Sequence, residues 1–201
     1  MQPMTVNSIN HGLAGLSAID AARRLIGCEL VRLVDGQAVG GVIVETEAYD
    51  QTDRASHSFK GMTPRNSVMF AASGLAYVYL SYGLHYCINV VVGEPGEGAA
   101  VLIRALEPIY GLDIMANYRK TNDMSALCSG PAKLTQALKI DLSFNGHDLS
   151  EPPLTLHLQP PVDNDKLICC QRIGIRELPG LELNWRVCMK DSAFLSRPPL
   201  K

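Results

Sequence analysis

Residues 75–92, LAYVYLSYGLHYCINVVV, narrow most what this chain can fold into. Two runs rich in β-branched and aromatic residues meet at Tyr82 and Gly83, which reads as a hairpin with a tyrosine near its tip. A second hairpin is predicted upstream, with a strand over Cys28–Leu33, a turn at Asp35 and Gly36, and a long return strand over Val39–Tyr49. GAAVLIRALEP is a further strand, CCQRIGIREL and NWRVCMK are two short ones, and SEPPLTLHLQPPVDND is a Pro-rich surface loop or edge. Helical spacing covers Ala18–Ile26, which Ser17 can cap and Gly27 can end, and also 111–120 and 130–139, with Pro131 in a first turn. Strands and helices interleave without a βαβ rhythm. The expected class is α+β: a single domain over 1–201 with a curved, largely antiparallel sheet, surrounding helices and a protruding β-hairpin.

The return strand carries VETEAY. Alternation puts Glu45, Glu47 and Tyr49 on one face and Val42, Val44, Thr46 and Ala48 on the other. On residue type alone this is a solvated sheet edge, because acids are mostly exposed. Two features resist so simple a reading. Arg104 interrupts an apolar strand, where burial would require an anion such as Glu45, Glu107 or a substrate phosphate. Tyr82 sits at a turn with nothing beneath it to pack on. The polar segment DQTDRASHSFKGMTPRNS is long for a connection, which marks a functional loop. Within these elements the plain readings are a solvated loop histidine for His57, a strand-end hydrogen bond for Asn89, and hairpin packing for most of the tyrosines.

Several classes of function are excluded. No Walker loop or GxGxxG opens a helix, and no HExxH or Cys/His spacing suits zinc, so neither a cofactor nor a metal is expected. Ser73 and Ser129 lack the GxSxG setting of a nucleophile elbow. Six cysteines without CxxC pairing suggest reduced thiols and a cytoplasmic protein, although the vicinal pair Cys169 and Cys170 could be redox-active. No apolar run is long enough to span a bilayer, and the N-terminus does not read as a secretory signal, so no membrane partner is expected. The formal net charge of -2 argues against coating nucleic acid by bulk electrostatics. A local basic patch would need folding to gather Arg65, Arg104, Arg119, Lys120 and Lys133. What remains is carboxylate chemistry, with a glutamate as general base beside a tyrosine at i+2.

Taken together and in order, VETEAY, SH, TPRN, MF, YVYLSYG, CIN, VLIRALEP, LCSGPAKL and RIGI resemble the alkyladenine (3-methyladenine) DNA glycosylase family, from about Ala21 to Ser196. The resemblance implies a base-excision repair enzyme that rotates a damaged purine out of duplex DNA and replaces it with water at the sugar carbon. It implies Glu47 as the base that activates the water, with Arg104 and the main-chain carbonyl of Ile173 as positioning partners. Tyr49 on one side, and His57 and Tyr79 on the other, would stack the extruded base, while the His57 N–H would read its edge. Asn89 would exclude the amino group of guanine, and Tyr82 would fill the gap left in the duplex. Lys133 and Arg65 would contact phosphates. The implied substrates are 3-methyladenine, 7-methylguanine, hypoxanthine and etheno-adenine. The implied partner is double-stranded DNA containing damaged purines, bound by a monomer associated with the bacterial nucleoid, or nuclear if eukaryotic. No lysine lies in the catalytic motif, so a monofunctional enzyme that leaves an abasic site is expected. His85 and the tail NWRVCMKDSAFLSR depart from the family pattern, which bears on substrate range.

Two other functions fit parts of the pattern. An inverting carbohydrate hydrolase could use Glu45 and Glu47, whose side chains on a strand would lie roughly 6.5 to 7 Å apart. A catalytically silent protein could bind distorted DNA through Tyr82.

Overall fold

The computed structural model describes residues 8–175 and 183–199, and its organising element is β2 (Gln37–Tyr49), a strand of 13 residues. One edge of β2 pairs with β5 (Ala100–Tyr110) from Gly40 to Tyr49. The other edge is shared: residues 37–42 pair with β1 (Glu29–Val34) and residues 45–47 with β8 (Arg186–Met189). Outward from β5 lie β4 (His85–Val91) and β3 (Ala76–Ser81). Outward from β1 lies β6 (Leu154–His157), and β8 carries β7 (Leu167–Cys170). Every pairing among these eight strands is antiparallel, and the α+β expectation holds.

The helices follow from local sequence. In α2 (Ala18–Leu25), Ser17 Oγ accepts the Asp20 N–H at 3.2 Å, and the chain leaves through Gly27 at φ 84°. Its buried face, Ala18, Ala21, Ala22 and Leu25, packs on β2, where Thr46 Oγ1 donates to the Ala22 carbonyl at 3.0 Å. The small alanines allow that approach. Helices α3 (Leu112–Arg119) and α5 (Pro131–Ala137) fall where the helical spacing places them, the latter with proline in its first turn. The short helices α1 (Ser8–Leu13) and α4 (Met124–Leu127) have no sequence counterpart in that reading.

Two expectations are corrected. The strand read from CCQRIGIREL is β7, which ends at Cys170 opposite Arg186. Residues 171–175 leave the ladder because the Ile173 N–H is taken by a side chain of β2, and 176–178 lie outside the described residues. Glu45 and Glu47 are not a solvated edge: both are 0% exposed, because β8 covers the β2 edge that carries them.

Candidate active site

A single register row crosses six strands, Tyr77–Asn89–Leu102–Glu47–Arg186–Cys170. Directly paired residues share a face, so this row gathers an amide, a carboxylate and a guanidinium from distant parts of the chain onto one surface. Tyr79 and Tyr49 stand on the same face two positions along their strands. β5 adds a bulge: Thr46 pairs with Ile103 and Glu45 with Ala105, which leaves Arg104 as the extra residue.

The bulge aims Arg104 at both acids. Its Nε donates to Glu45 Oε1 at 2.8 Å and its Nη1 to Glu47 Oε2 at 3.1 Å. Burial works against the cation, but Glu47 and then Glu45 more than compensate and raise its pKa. Glu107, the other partner considered for Arg104, stands three residues further along β5, opposite Val42.

The two carboxylates have different surroundings. Glu45 accepts four hydrogen bonds, from Arg104 Nε, Arg186 Nε (2.8 Å), Ser196 Oγ (2.7 Å) and Ser196 N–H (2.6 Å). Glu47 accepts three, from Tyr49 Oη (2.8 Å), Arg104 Nη1 and the Ile173 N–H (2.7 Å). Among the described residues Glu47 Oε1 meets only the Ile173 N–H, and its one charged partner is Arg104, where Glu45 has two. The backbone group of Ile173 that reaches the carboxylate is therefore the amide, not the carbonyl, because only the amide can donate to it. Ile173 also lines a cavity with Arg172, Gly174 and Arg186, so a donor to each acid stands at its wall.

Tyr49 pairs with Ala100 at the end of β2, half-buried. Burial, then the Glu47 charge and its hydrogen bond, push its phenol well above the ordinary value, so it stays a donor. Tyr79 is held above the ordinary range too, by burial and then by Cys87. His57 meets the Tyr79 ring edge-on at 4.6 Å between centroids, and its Nδ1 lies 2.9 Å from Tyr77 Oη. Burial of its ring and the nearby Arg65 charge lower the His57 pKa, which favours the neutral imidazole.

The loop that carries His57 is pinned by Asn66. Its Nδ2 donates to the carbonyls of His57 (2.8 Å) and Gly61 (3.0 Å), and its Oδ1 accepts the Thr63 N–H at 2.6 Å. Ser58 Oγ ties the same loop to the Gly98 carbonyl at 2.7 Å. On β4, Asn89 donates to the Tyr77 carbonyl at 2.9 Å and is 4% exposed, so its amide is fixed.

Tyr82 is 91% exposed at φ 50°, on the turn between β3 and β4. The basic residues do not form one patch. Arg104 is buried among the acids, and Arg119 donates to the Leu127 carbonyl at 3.1 Å. Lys133 on α5 donates to Ser129 Oγ at 3.3 Å, while exposed Arg65 lies 5.9 Å from the Tyr79 ring centre.

Four contributors escape the sequence reading. Arg186 and Ser196 complete the Glu45 shell, and Arg172 and Asp53 form a buried ion pair of 2.5 Å beside Tyr49. Arg186 interrupts the apolar run of NWRVCMK just as Arg104 interrupts its own strand, so the same signal could have found it. The others carry no local signal.

Comparison with known proteins places this chain among the DNA glycosylases. The family model described as methylpurine-DNA glycosylase matches residues 14–193. A Bradyrhizobium diazoefficiens protein, provisionally named 3-methyladenine DNA glycosylase, is 46% identical over 98% of this chain and 94% of its own length. Proteins given the same provisional name in Rhodopseudomonas palustris and Nitrosospira multiformis are 50% and 49% identical, each over 90% of this chain, and 87% and 90% of their own lengths are covered. The chain belongs to the methylpurine-DNA glycosylase family, whose members are hydrolases acting on N-glycosyl bonds.

Proposed function

We propose that this chain acts as a monomer that extrudes a damaged purine from duplex DNA and hydrolyses its glycosidic bond, leaving an abasic site. The substrates are 3-methyladenine and other alkylated or deaminated purines, namely 7-methylguanine, hypoxanthine and etheno-adenine. The observation that carries this reading is the Glu47 carboxylate, held by Tyr49, Arg104 and the Ile173 N–H, on the sheet face that also bears Tyr49, Tyr79 and Asn89.

In the reaction, water attacks the anomeric carbon as its bond to the purine nitrogen breaks. The bonding electrons leave with the base, and the water proton passes to Glu47. Arg104 and the Ile173 N–H hold the carboxylate in place, while the Ile173 carbonyl is assigned to the water. The base stacks between Tyr49 and the pair His57 and Tyr79. Aromatic faces suit purines made cationic by alkylation. The fixed Asn89 amide fills the space that a guanine amino group would need, and the His57 N–H reads the purine edge. Tyr82 occupies the gap in the duplex, with Lys133 and Arg65 on phosphates. No lysine contacts Glu47 among the described residues, which supports a monofunctional enzyme.

The four donors on Glu45 remove it as a second catalytic acid, which disfavours the carbohydrate hydrolase. Incubation with duplexes that each carry one defined lesion, followed by separation of free bases, tests the proposal. Release of methylated purines supports it, whereas binding without release would make the chain a silent reader of distorted DNA.

A further inference from the structure

Tyr49 has an occupied face. The Arg172 guanidinium lies 4.6 Å from its ring centre and 5.6 Å from that of Trp185. Arg172 Nη1 donates to Asp53 Oδ2 at 2.5 Å and to the Ala48 carbonyl at 2.9 Å, and the side chains of Arg172 and Asp53 are 5% and 2% exposed. Asp53 Oδ1 is itself held by the Ala55 N–H at 2.9 Å. The cation is therefore locked behind the ring, and a ligand can stack only on the opposite face.

We propose that Arg172 is a positioning residue that favours departure of the base electrostatically, acting across the Tyr49 ring. The inference rests on the function proposed above. When the bond from the anomeric carbon to the purine nitrogen breaks, the electron pair goes to the base. A cationic 7-methylguanine leaves neutral, and a neutral hypoxanthine leaves with negative charge unless a proton reaches it. In both cases the base becomes more negative while the sugar beside Glu47 becomes more positive. A fixed cation behind Tyr49 lies about 8 Å from a base stacked on the far face, allowing a stacking distance of about 3.5 Å. At that range in a largely dehydrated site, the Arg172 charge alone amounts to about tenfold in rate, and the paired Asp53 offsets part of it. The two lesions differ in the ground state, because Arg172 repels a base that arrives cationic and does not repel one that arrives neutral.

The test is single-turnover base release from duplexes carrying 7-methylguanine or hypoxanthine. With Arg172→Gln, whose amide can still reach Asp53, maximal release falls about tenfold on both lesions. The protein concentration giving half-maximal rate falls for 7-methylguanine and is unchanged for hypoxanthine. Arg172→Lys, which restores the charge, recovers both values. A fall in rate without tighter engagement of 7-methylguanine, or no fall in rate, overturns the inference and leaves Arg172 a packing residue. If Arg172→Gln folds poorly, the double variant Arg172→Met, Asp53→Asn removes both buried charges, and the same changes are expected at a smaller size, about threefold; no change overturns the inference. If the wild type releases neither base, the proposed function fails on its own account. Affinity for a duplex holding 2′-fluoro-stabilised 7-methylguanine then decides this inference: tighter binding by Arg172→Gln supports it, and equal binding rejects it.

Discussion

Glu45 and Glu47 lie two residues apart on one strand, are equally buried and share Arg104, yet Glu45 meets a second guanidinium and Glu47 does not. Glu45 is enclosed by the guanidinium groups of Arg104 and Arg186 and by both polar atoms of Ser196, three of these donors meeting on Oε1. Glu47 faces Arg104, the Tyr49 phenol and the Ile173 backbone amide, and Ile173 stands at a cavity wall. What distinguishes these two equally buried carboxylates is the charge they face, two guanidinium groups at Glu45 and one at Glu47. The same asymmetry extends outward. On the Glu45 side the C-terminal segment is fastened through Ser196, and Arg186 also donates to the Arg197 carbonyl. On the Glu47 side lie the rings, the His57 loop and the exposed hairpin.

The sharpest way to break that comparison is to exchange the roles. Glu47→Gln should lower base release by about a thousandfold, within the range for loss of a general base. Glu45→Gln should retain much of the release rate per folded molecule. It should instead lose about 3 to 5 kcal/mol in denaturant unfolding, because buried Arg186 loses its anion and Arg104 keeps only Glu47. Equal rate losses in the two variants would erase the distinction.

Farther out, Tyr82→Ala should weaken binding to a lesion-containing duplex by about tenfold, as expected for an exposed anchor. Its stability should stay within about 0.5 kcal/mol of wild type, because the side chain packs on nothing. Unchanged affinity would remove the wedge role.

The smallest effect concerns His57. Its folded pKa lies below the ordinary histidine value of 6.5, so the unfolded chain binds the proton more readily. The contribution is fully present above pH 6.5 and is lost as pH falls through the depressed folded value. Stability measured between pH 7 and 5 should therefore decline slightly more for wild type than for His57→Asn. Parallel curves would mean that the ring is not held neutral.

Legibility in the sequence followed range. The hairpin of β3 and β4, the capped α2 and the proline-started α5 are written in contiguous residues, and each lies where local chemistry puts it. The motifs carrying the family resemblance also placed Glu47, Tyr49 and Arg104 together. The burial of both acids was not legible, because it depends on β8, which joins β2 from about 140 residues away in sequence. The end of β7 was missed for a related reason: the Ile173 N–H serves a side chain instead of a strand. Arg172 and Asp53 look like ordinary surface charges until folding buries them against each other.

The most direct test of the central claim is single-turnover release of 7-methylguanine by wild type and Glu47→Gln, on one duplex and at saturating protein. The account predicts release by the wild type and a loss of about a thousandfold in the variant, with duplex binding retained. Release by Glu47→Gln at a rate near wild type would contradict it.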